Sequence, residues 1–142
     1  MTISRASAVW EGTLKEGKGN FHSASGAFAA PYSFLTRFEG AKGATPEELI
    51  AAALASCLAM ALSANLEKAG TPATRIAADA ACTIEPANGV PTITTIAVSL
   101  RGKVAGLDQA RFAQAAESAG GTCPVSRALK GNVRISVEAR LE

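Results

Sequence analysis

The fold is decided by residues 45–63, which read TPEELIAAALASCLAMALS. Thr45 and Glu48 have the spacing of a capping box, and Pro46 stands at the first helical position, so a helix is predicted to begin here. The pattern runs on to Gly70, a typical C-terminal stop. This helix is apolar or small nearly all round, which predicts that other elements cover most of its surface.

Segments of alternating polarity around this helix predict strands at residues 3–10, 20–30, 75–84, 92–104 and 133–141. Two shorter helices are expected after the long one. Asp108 caps the first, which Gly120 and Gly121 are expected to end, and Cys123-Pro124 opens the second. No repeat or linker divides the chain, so we expect one α+β domain over residues 1–142.

Composition excludes several classes of protein. Hydrophobic residues make up 48% of the chain and charged residues 18%, which argues against disorder. The net charge of +2 and the 5% of aromatic residues argue against a nucleic-acid partner. No apolar run of signal-peptide length begins the chain, and the uncharged run at residues 49–62 is shorter than a membrane span. We therefore expect a cytoplasmic protein without a membrane partner.

The long helix carries more apolar surface than a domain of this size can readily cover. An exposed apolar face of that kind is typical of a partner surface, so we expect a homodimer formed through the helix. The alternative is a monomer whose sheet wraps the helix completely.

Three cysteines do not form a fully paired disulfide framework, and one histidine without a Cys-x-x-Cys motif gives little support to a zinc site. Cys57 lies within the long helix and is by itself compatible with a buried packing residue. Cys123 precedes a helix start, where backbone N–H groups stabilise a thiolate, although a small residue before Pro124 would explain it equally well. Cys82 lies in a predicted strand and is interpreted as packing.

Arg37 and Glu47 indicate a functional site only if a reactive thiolate lies nearby. Alone, Arg37 could be a charge on a strand surface, and Glu47 is a favourable residue for the start of a helix. A thiolate that attacks a peroxide needs a fixed cation to lower its pKa and to stabilise the departing oxyanion. Arginine suits this task, and a carboxylate can hold its guanidinium in place through two parallel hydrogen bonds.

Three segments together resemble the OsmC/Ohr hydroperoxide reductases. Residues 43–63 resemble the central helix of that family, Cys123-Pro124-Val125-Ser126 its second cysteine motif, and residues 36–40 the arginine segment of its OsmC branch. The resemblance implies an intertwined homodimer in which antiparallel sheets pack around a long central helix. It also implies a peroxidase without a cofactor or metal, acting in defence against oxidative or osmotic stress.

The resemblance assigns four site residues: Cys57 as the peroxidatic thiolate, Cys123 as the resolving thiol, Arg37 as the group that polarises the thiolate and the peroxide, and Glu47 as the residue that orients Arg37. The expected substrates are organic hydroperoxides. The apolar side chains of the helix beside Cys57 are expected to favour them over hydrogen peroxide, which would be reduced more slowly. The expected reductant is an external dithiol or a lipoylated protein. The product of one cycle would be a Cys57–Cys123 disulfide formed through a Cys57 sulfenic acid.

Helix geometry limits how this site is built. Cys57 follows Glu47 by ten residues, and a helical rise over that length separates them by about 15 Å. Either an arginine from another segment bridges them, or a second chain supplies the glutamate; we expect both chains to contribute. Two other functions stay open on the sequence alone: a dithiol–disulfide oxidoreductase, and a non-catalytic dimeric binding protein.

Overall fold

The computed structural model describes all residues, 1–142. Its internal contacts divide the chain into two compact units, Met1–Glu48 and Leu49–Glu142. Six strands and four helices follow one another in runs of one to three elements of the same kind, as is typical of an α+β fold. That residues 1–142 form one domain stays a prediction.

The first unit contains an antiparallel sheet with the order β1-β2-β3. Its strands are β1 (Ala6–Glu11), β2 (Lys18–Ser23) and β3 (Ala29–Tyr32), where the sequence predicted strands over 3–10 and 20–30. The rings of Trp10 and Tyr32 lie 5.4 Å apart across the central strand. Gly19 lies between them, and a Cβ there would come within 2.7 Å of both rings. The aromatic pair therefore requires glycine at this position.

A short helix, α1 (Phe34–Phe38), follows the sheet. Ser33 caps it, and the side chain of Thr36 accepts a hydrogen bond from the backbone of Ser33. The interpretation of Arg37 as a strand-surface charge is wrong, because Arg37 lies in the last turn of α1. Ser33 and Thr36 form a capping box, and this local signal favours a helix over a strand at Arg37.

Helix α2 (Pro46–Lys68) matches the predicted central helix. Glu48 N donates to Thr45 Oγ1 at 3.0 Å and Thr45 N donates to Glu48 Oε2 at 3.1 Å, so the predicted capping box is present. The helix is long and apolar enough to cross a membrane by length and composition alone. Only 22% of its most apolar 18-residue window is buried within one chain. The expected burial is therefore not achieved by a single chain.

The second unit contains the sheet β4-β5-β6. β4 (Ala73–Ala87) and β5 (Val90–Val104) form an antiparallel hairpin closed by Asn88 and Gly89, both with positive φ. β6 (Arg134–Leu141) pairs with β5 in parallel, so this sheet is mixed, and the expected antiparallel arrangement holds for its β4–β5 pair only. Two helices lie between β5 and β6 in the chain, and a crossover of that kind returns the chain in the same direction.

The two crossover helices are α3 (Gln109–Thr122) and α4 (Pro124–Leu129). Asp108 caps α3 as predicted, through a hydrogen bond from Arg111 N to Oδ1. The prediction that Gly120 and Gly121 end α3 is wrong, because the helix continues to Thr122 and Cys123 N still donates to Ala119 O. Glycine weakens a helix but does not break its hydrogen-bond ladder.

One hydrophobic core holds the second unit together. α2 contributes one leucine at each turn, β5 contributes its inward face, and α3 contributes Phe112. The buried residues from α2 and β5 are Leu54, Leu58, Leu62, Leu66, Ile96, Val98 and Leu100. Cys123 is also a member of this core. The core therefore fixes α2 against the loop that carries the second cysteine of the motif.

Candidate active site

Two cysteines that are far apart in sequence meet in the second unit. The sulfur atoms of Cys57 and Cys123 lie 2.7 Å apart, longer than the bond of about 2.05 Å that a disulfide would have. Cys57 lies in the middle of α2 and is partly exposed, while Cys123 is fully buried at the junction of α3 and α4. A small movement would bring these two thiols to bonding distance.

Local chain geometry positions Cys123. Its backbone N–H donates to Ala119 O and so closes the last hydrogen bond of α3. The same residue is the N-cap of α4, with an extended backbone (φ −65°, ψ 118°). Pro124 suits the first position of α4 because it has no N–H to satisfy. Ser126 N lies 3.5 Å from Cys123 Sγ and donates to it, so the sulfur serves as the capping group.

The surroundings shift the two thiol pKa values in opposite directions. Burial raises the pKa of Cys57, and the neighbouring Cys123 raises it further. Burial also acts to raise the pKa of Cys123, but hydrogen bonds to its sulfur from Cys57, Ser126 and Val125 outweigh burial and lower it. Each thiol can donate or accept in the 2.7 Å contact, and Cys123 Sγ in addition accepts a hydrogen bond from Ser126 N.

This electrostatic result differs from the sequence-based expectation for Cys57. Within Leu49–Glu142 the thiolate is favoured on Cys123, and no cation is among the groups of this unit that shift the pKa of Cys57. A positive charge near Cys57 would reverse that preference. The thiol pair of this unit alone therefore does not favour the ionised form of Cys57.

The first unit contains an ion pair between Arg37 and Glu47. Arg37 Nη2 donates to Glu47 Oε1 at 2.8 Å, and Arg37 Nε donates to both carboxylate oxygens at 3.0 and 3.3 Å. The Glu47 side chain is 7% exposed and that of Arg37 37% exposed. One edge of the guanidinium is thus fixed by a nearly buried carboxylate, while part of the group stays accessible.

The structure therefore places the four predicted site residues in two pairs. Cys57 and Cys123 lie together in the second unit, and Arg37 and Glu47 lie together in the first. Cys82 lies on β4 and packs against the core of the second unit. No group of three or more His, Cys, Asp or Glu side chains is arranged to hold a metal ion.

Sequence reasoning missed an aromatic cavity in the first unit. A cavity of about 200 Å³ borders Arg37. Its apolar wall consists of Trp10, Leu14, Tyr32, Phe34 and Phe38. The guanidinium also lies over the Phe38 ring, 5.1 Å from its centre. The spacing of Phe34 and Phe38, one turn apart, was a sequence signal for one wall, but the contribution of Trp10 required the sheet.

Sequence reasoning also missed Ser126 as a candidate functional residue. Its backbone N–H donates to the sulfur of Cys123, and its hydroxyl is buried without a hydrogen-bond partner. The sequence did contain a signal for this contact, because Ser126 follows Cys123 by three residues. At that spacing the side chain of an N-cap residue accepts a hydrogen bond from the backbone of the first helical turn.

Known proteins resemble this chain along its whole length. The family described as OsmC-like protein matches residues 39–138. Peroxiredoxin OsmC of Escherichia coli strain K12 is 40% identical over 142 residues, covering 99% of each chain. A protein of the same name from Shigella flexneri matches equally well.

Solved structures show the same fold at low sequence identity. A putative organic hydroperoxide resistance protein of Vibrio cholerae superposes with a TM-score of 0.77 at 20% identity, covering 98% of this chain and 93% of that one. The organic hydroperoxide resistance protein OhrB of Bacillus subtilis gives 0.71 at 22% identity, covering 96% and 98%. At such identities the likeness concerns the fold alone.

Proposed function

This chain belongs to the OsmC family and is a cysteine-based peroxidase, and we propose that it reduces organic hydroperoxides through Cys57 and Cys123. The contact of 2.7 Å between the two sulfur atoms carries the proposal, because it joins the two cysteines of the family motifs into one redox pair. Solved proteins of the same fold include some named for organic hydroperoxide resistance, and we extend that substrate class to this chain as part of the proposal.

The proposed reaction begins at Cys57. Its thiolate attacks one peroxide oxygen, the O–O bond breaks, and the departing alkoxide takes up a proton to leave as an alcohol. Cys57 is then a sulfenic acid. Cys123 attacks the sulfenic sulfur, an S–S bond forms, the S–O bond breaks, and water leaves. An external dithiol, free or as the lipoyl group of a protein, reopens the disulfide by two exchange steps.

Arg37 supplies the positive charge that Cys57 lacks within its own unit. Its guanidinium is fixed by Glu47 and keeps an accessible edge. Beside Cys57, it would lower the pKa of that thiol and stabilise the alkoxide as the O–O bond breaks. Glu47 contributes by holding the orientation of Arg37, so that no conformational adjustment is needed during the reaction.

A homodimer fits the exposed surface of α2. Most of its apolar window is not buried within one chain, and the Met60 side chain is 76% exposed. A second copy of the helix would cover this surface, whereas a membrane would have to accommodate a helix whose leucine face is already packed into a core. We infer a cytoplasmic homodimer in which Arg37 and Glu47 of one chain serve Cys57 of the other.

The aromatic cavity beside Arg37 supports a preference for organic hydroperoxides. Its volume of about 200 Å³ and its apolar wall suit a hydrocarbon group attached to the peroxide. Hydrogen peroxide has no such group and would gain nothing from this surface. Faster reduction of hydrogen peroxide than of an alkyl hydroperoxide would contradict this preference.

A peroxide assay coupled to a dithiol tests the proposed function. Wild type, Cys57→Ser and Cys82→Ser are compared for consumption of tert-butyl hydroperoxide. We expect turnover by wild type and Cys82→Ser and none by Cys57→Ser. Full turnover by Cys57→Ser would refute the assignment, and a wild type that exchanges disulfides with proteins but ignores peroxide would favour a dithiol–disulfide oxidoreductase.

A further inference from the structure

Ser126 contains the only buried side-chain oxygen or nitrogen without a hydrogen-bond partner in the structure. The residue is 7% exposed and lies in the first turn of α4, three residues after Cys123. Buried hydroxyls without a partner are rare in proteins because their desolvation is not compensated. Alanine would fill nearly the same space and favours helices more strongly. Packing and helix formation therefore do not explain why this residue has a hydroxyl group.

The neighbouring groups indicate what that role is. Ser126 N already donates to Cys123 Sγ at 3.5 Å, which places the residue directly beside the sulfur. No hydrogen bond of regular geometry joins the hydroxyl to the sulfur in the structure, yet the hydroxyl is among the groups that lower the pKa of Cys123. The missing hydrogen bond and the lowered pKa are compatible if the hydroxyl lies near the sulfur of Cys123. It would then donate to that sulfur once Cys123 is a thiolate, because a thiolate is a better acceptor than a thiol.

We propose that Ser126 is a positioning residue for the resolving step, whose hydroxyl donates to the sulfur of Cys123 and holds it as the thiolate that attacks oxidised Cys57. This inference rests on the proposed function and adds Ser126 to the residues that act with Cys57 and Cys123. Cys57 is the titratable group that contacts Cys123. The charged residues Glu117, Arg127 and Lys130 line a groove that Ser126 also borders.

The chemistry of the resolving step explains the benefit. Attack on a sulfenic acid requires the thiolate form of the resolving cysteine. The Cys123 thiolate forms the S–S bond, the S–O bond of Cys57 breaks, and the hydroxide that leaves takes a proton from solvent to become water. The disulfide sulfur no longer carries a charge, so the hydroxyl of Ser126 stabilises the reactant and not the product. The bond increases the fraction of Cys123 that is ionised but makes each thiolate somewhat less nucleophilic, so the rate of closure gains less than the ionisation does.

The first experiment measures ionisation without peroxide. In the Cys57→Ser, Cys82→Ser background Cys123 is the only thiol, and its thiolate is followed by ultraviolet absorbance against pH. We expect Ser126→Ala to raise the pKa of Cys123 enough to lower the thiolate fraction at neutral pH about tenfold, the effect of losing one hydrogen bond to a charged group. Ser126→Thr keeps the hydroxyl and should keep the lower pKa.

A matched control is available on α3. Ser118 is exposed, and Ser118→Ala removes a hydroxyl without touching the cysteine pair, so it should leave the pKa of Cys123 unchanged. At a pH low enough to keep Cys123 as the neutral thiol, Ser126→Ala should unfold at the same temperature as the parent or a higher one, because it then removes a buried group without a partner. A marked loss of thermal stability with an unchanged pKa of Cys123 would assign Ser126 a structural role and overturn the proposal.

The second experiment uses the chain with all cysteines and one equivalent of an alkyl hydroperoxide. We expect Ser126→Ala to form the Cys57 sulfenic acid at the wild-type rate and to close the disulfide about threefold more slowly, because the greater nucleophilicity of the remaining thiolate offsets part of the roughly tenfold loss in ionisation. Closure at the wild-type rate would overturn the proposal. If wild type forms no sulfenic acid, the proposed function fails instead, and the ionisation of Cys123 still decides whether Ser126 stabilises the thiolate.

Discussion

The Sγ atoms of Cys57 and Cys123 lie 2.7 Å apart although 66 residues separate them in the chain. Cys57 is held by α2, whose leucines form one side of the core, and Cys123 is itself part of that core. Because both positions are determined by packing, the two thiols are brought together before any peroxide arrives. Such an arrangement favours rapid disulfide formation over further oxidation of Cys57.

The first prediction concerns the resolving cysteine. Cys123→Ser removes the thiol that condenses with the sulfenic acid, so the variant should consume one equivalent of alkyl hydroperoxide per chain and then stop. Trapping with dimedone, followed by mass spectrometry, should locate the sulfenic acid at Cys57. Sustained turnover at the wild-type rate would show that Cys123 is not required.

The second prediction concerns the pH dependence of Cys57. Within its unit, burial and Cys123 raise the pKa of this thiol, so less thiolate is present at neutral pH and reactivity should increase as the pH rises. Arg37 should counteract this rise. Arg37→Gln should therefore shift the pH profile of Cys57 alkylation to higher pH, while Arg111→Gln, at an exposed site on α3, should not. Identical profiles for wild type and Arg37→Gln would contradict the proposed role.

The third prediction tests whether two chains build each site. Arg37→Gln and Cys57→Ser are each expected to be inactive, the former with a loss of about 100-fold in kcat/KM, as for other groups that stabilise an oxyanion. Mixed dimers, formed by unfolding and refolding the two variants together, contain one site with an intact Cys57 and an intact Arg37 if these come from different chains. Activity should then return in the mixture. No recovery would place both residues of a site in the same chain.

The fourth prediction concerns the packing of α3 on β5. A Cβ on Gly102 would approach the ring of buried Phe112 to 2.5 Å, so Gly102→Ala should lower the free energy of unfolding by about 1–3 kcal/mol. Gly120 lies in α3, and a Cβ there would meet open space, so Gly120→Ala should raise stability by up to about 1 kcal/mol. Urea denaturation of both variants measures these changes. Equal stabilities would contradict the close approach of α3 to β5.

Sequence signals that span only a few residues correctly predicted the helix caps and the hairpin turn. The Thr45–Glu48 capping box and the Asp108 cap are exchanges within one turn of helix, and both are present in the structure. The Asn88-Gly89 turn is likewise formed, although the strands it joins are longer than predicted because cross-strand pairing extends them up to the turn.

Features that depend on distant residues could not be read from the sequence. The parallel pairing of β6 follows from the path of α3 and α4, and the aromatic cavity needs Trp10 and Tyr32 to meet across a sheet. The hydroxyl of Ser126 is unusual only because packing buries it. The family resemblance supplied the four site residues, whereas the opposite shifts in the thiol pKa values required their surroundings.

Mapping the disulfide after a single turnover tests the central claim most directly. Reduced wild-type protein receives one equivalent of an alkyl hydroperoxide, remaining thiols are blocked, and the digest is analysed by mass spectrometry without reduction. We predict one alcohol released per chain and a peptide pair joined through Cys57 and Cys123, with Cys82 recovered as the blocked thiol. A disulfide that includes Cys82, or peroxide reduction that leaves Cys57 and Cys123 as thiols, would contradict the account.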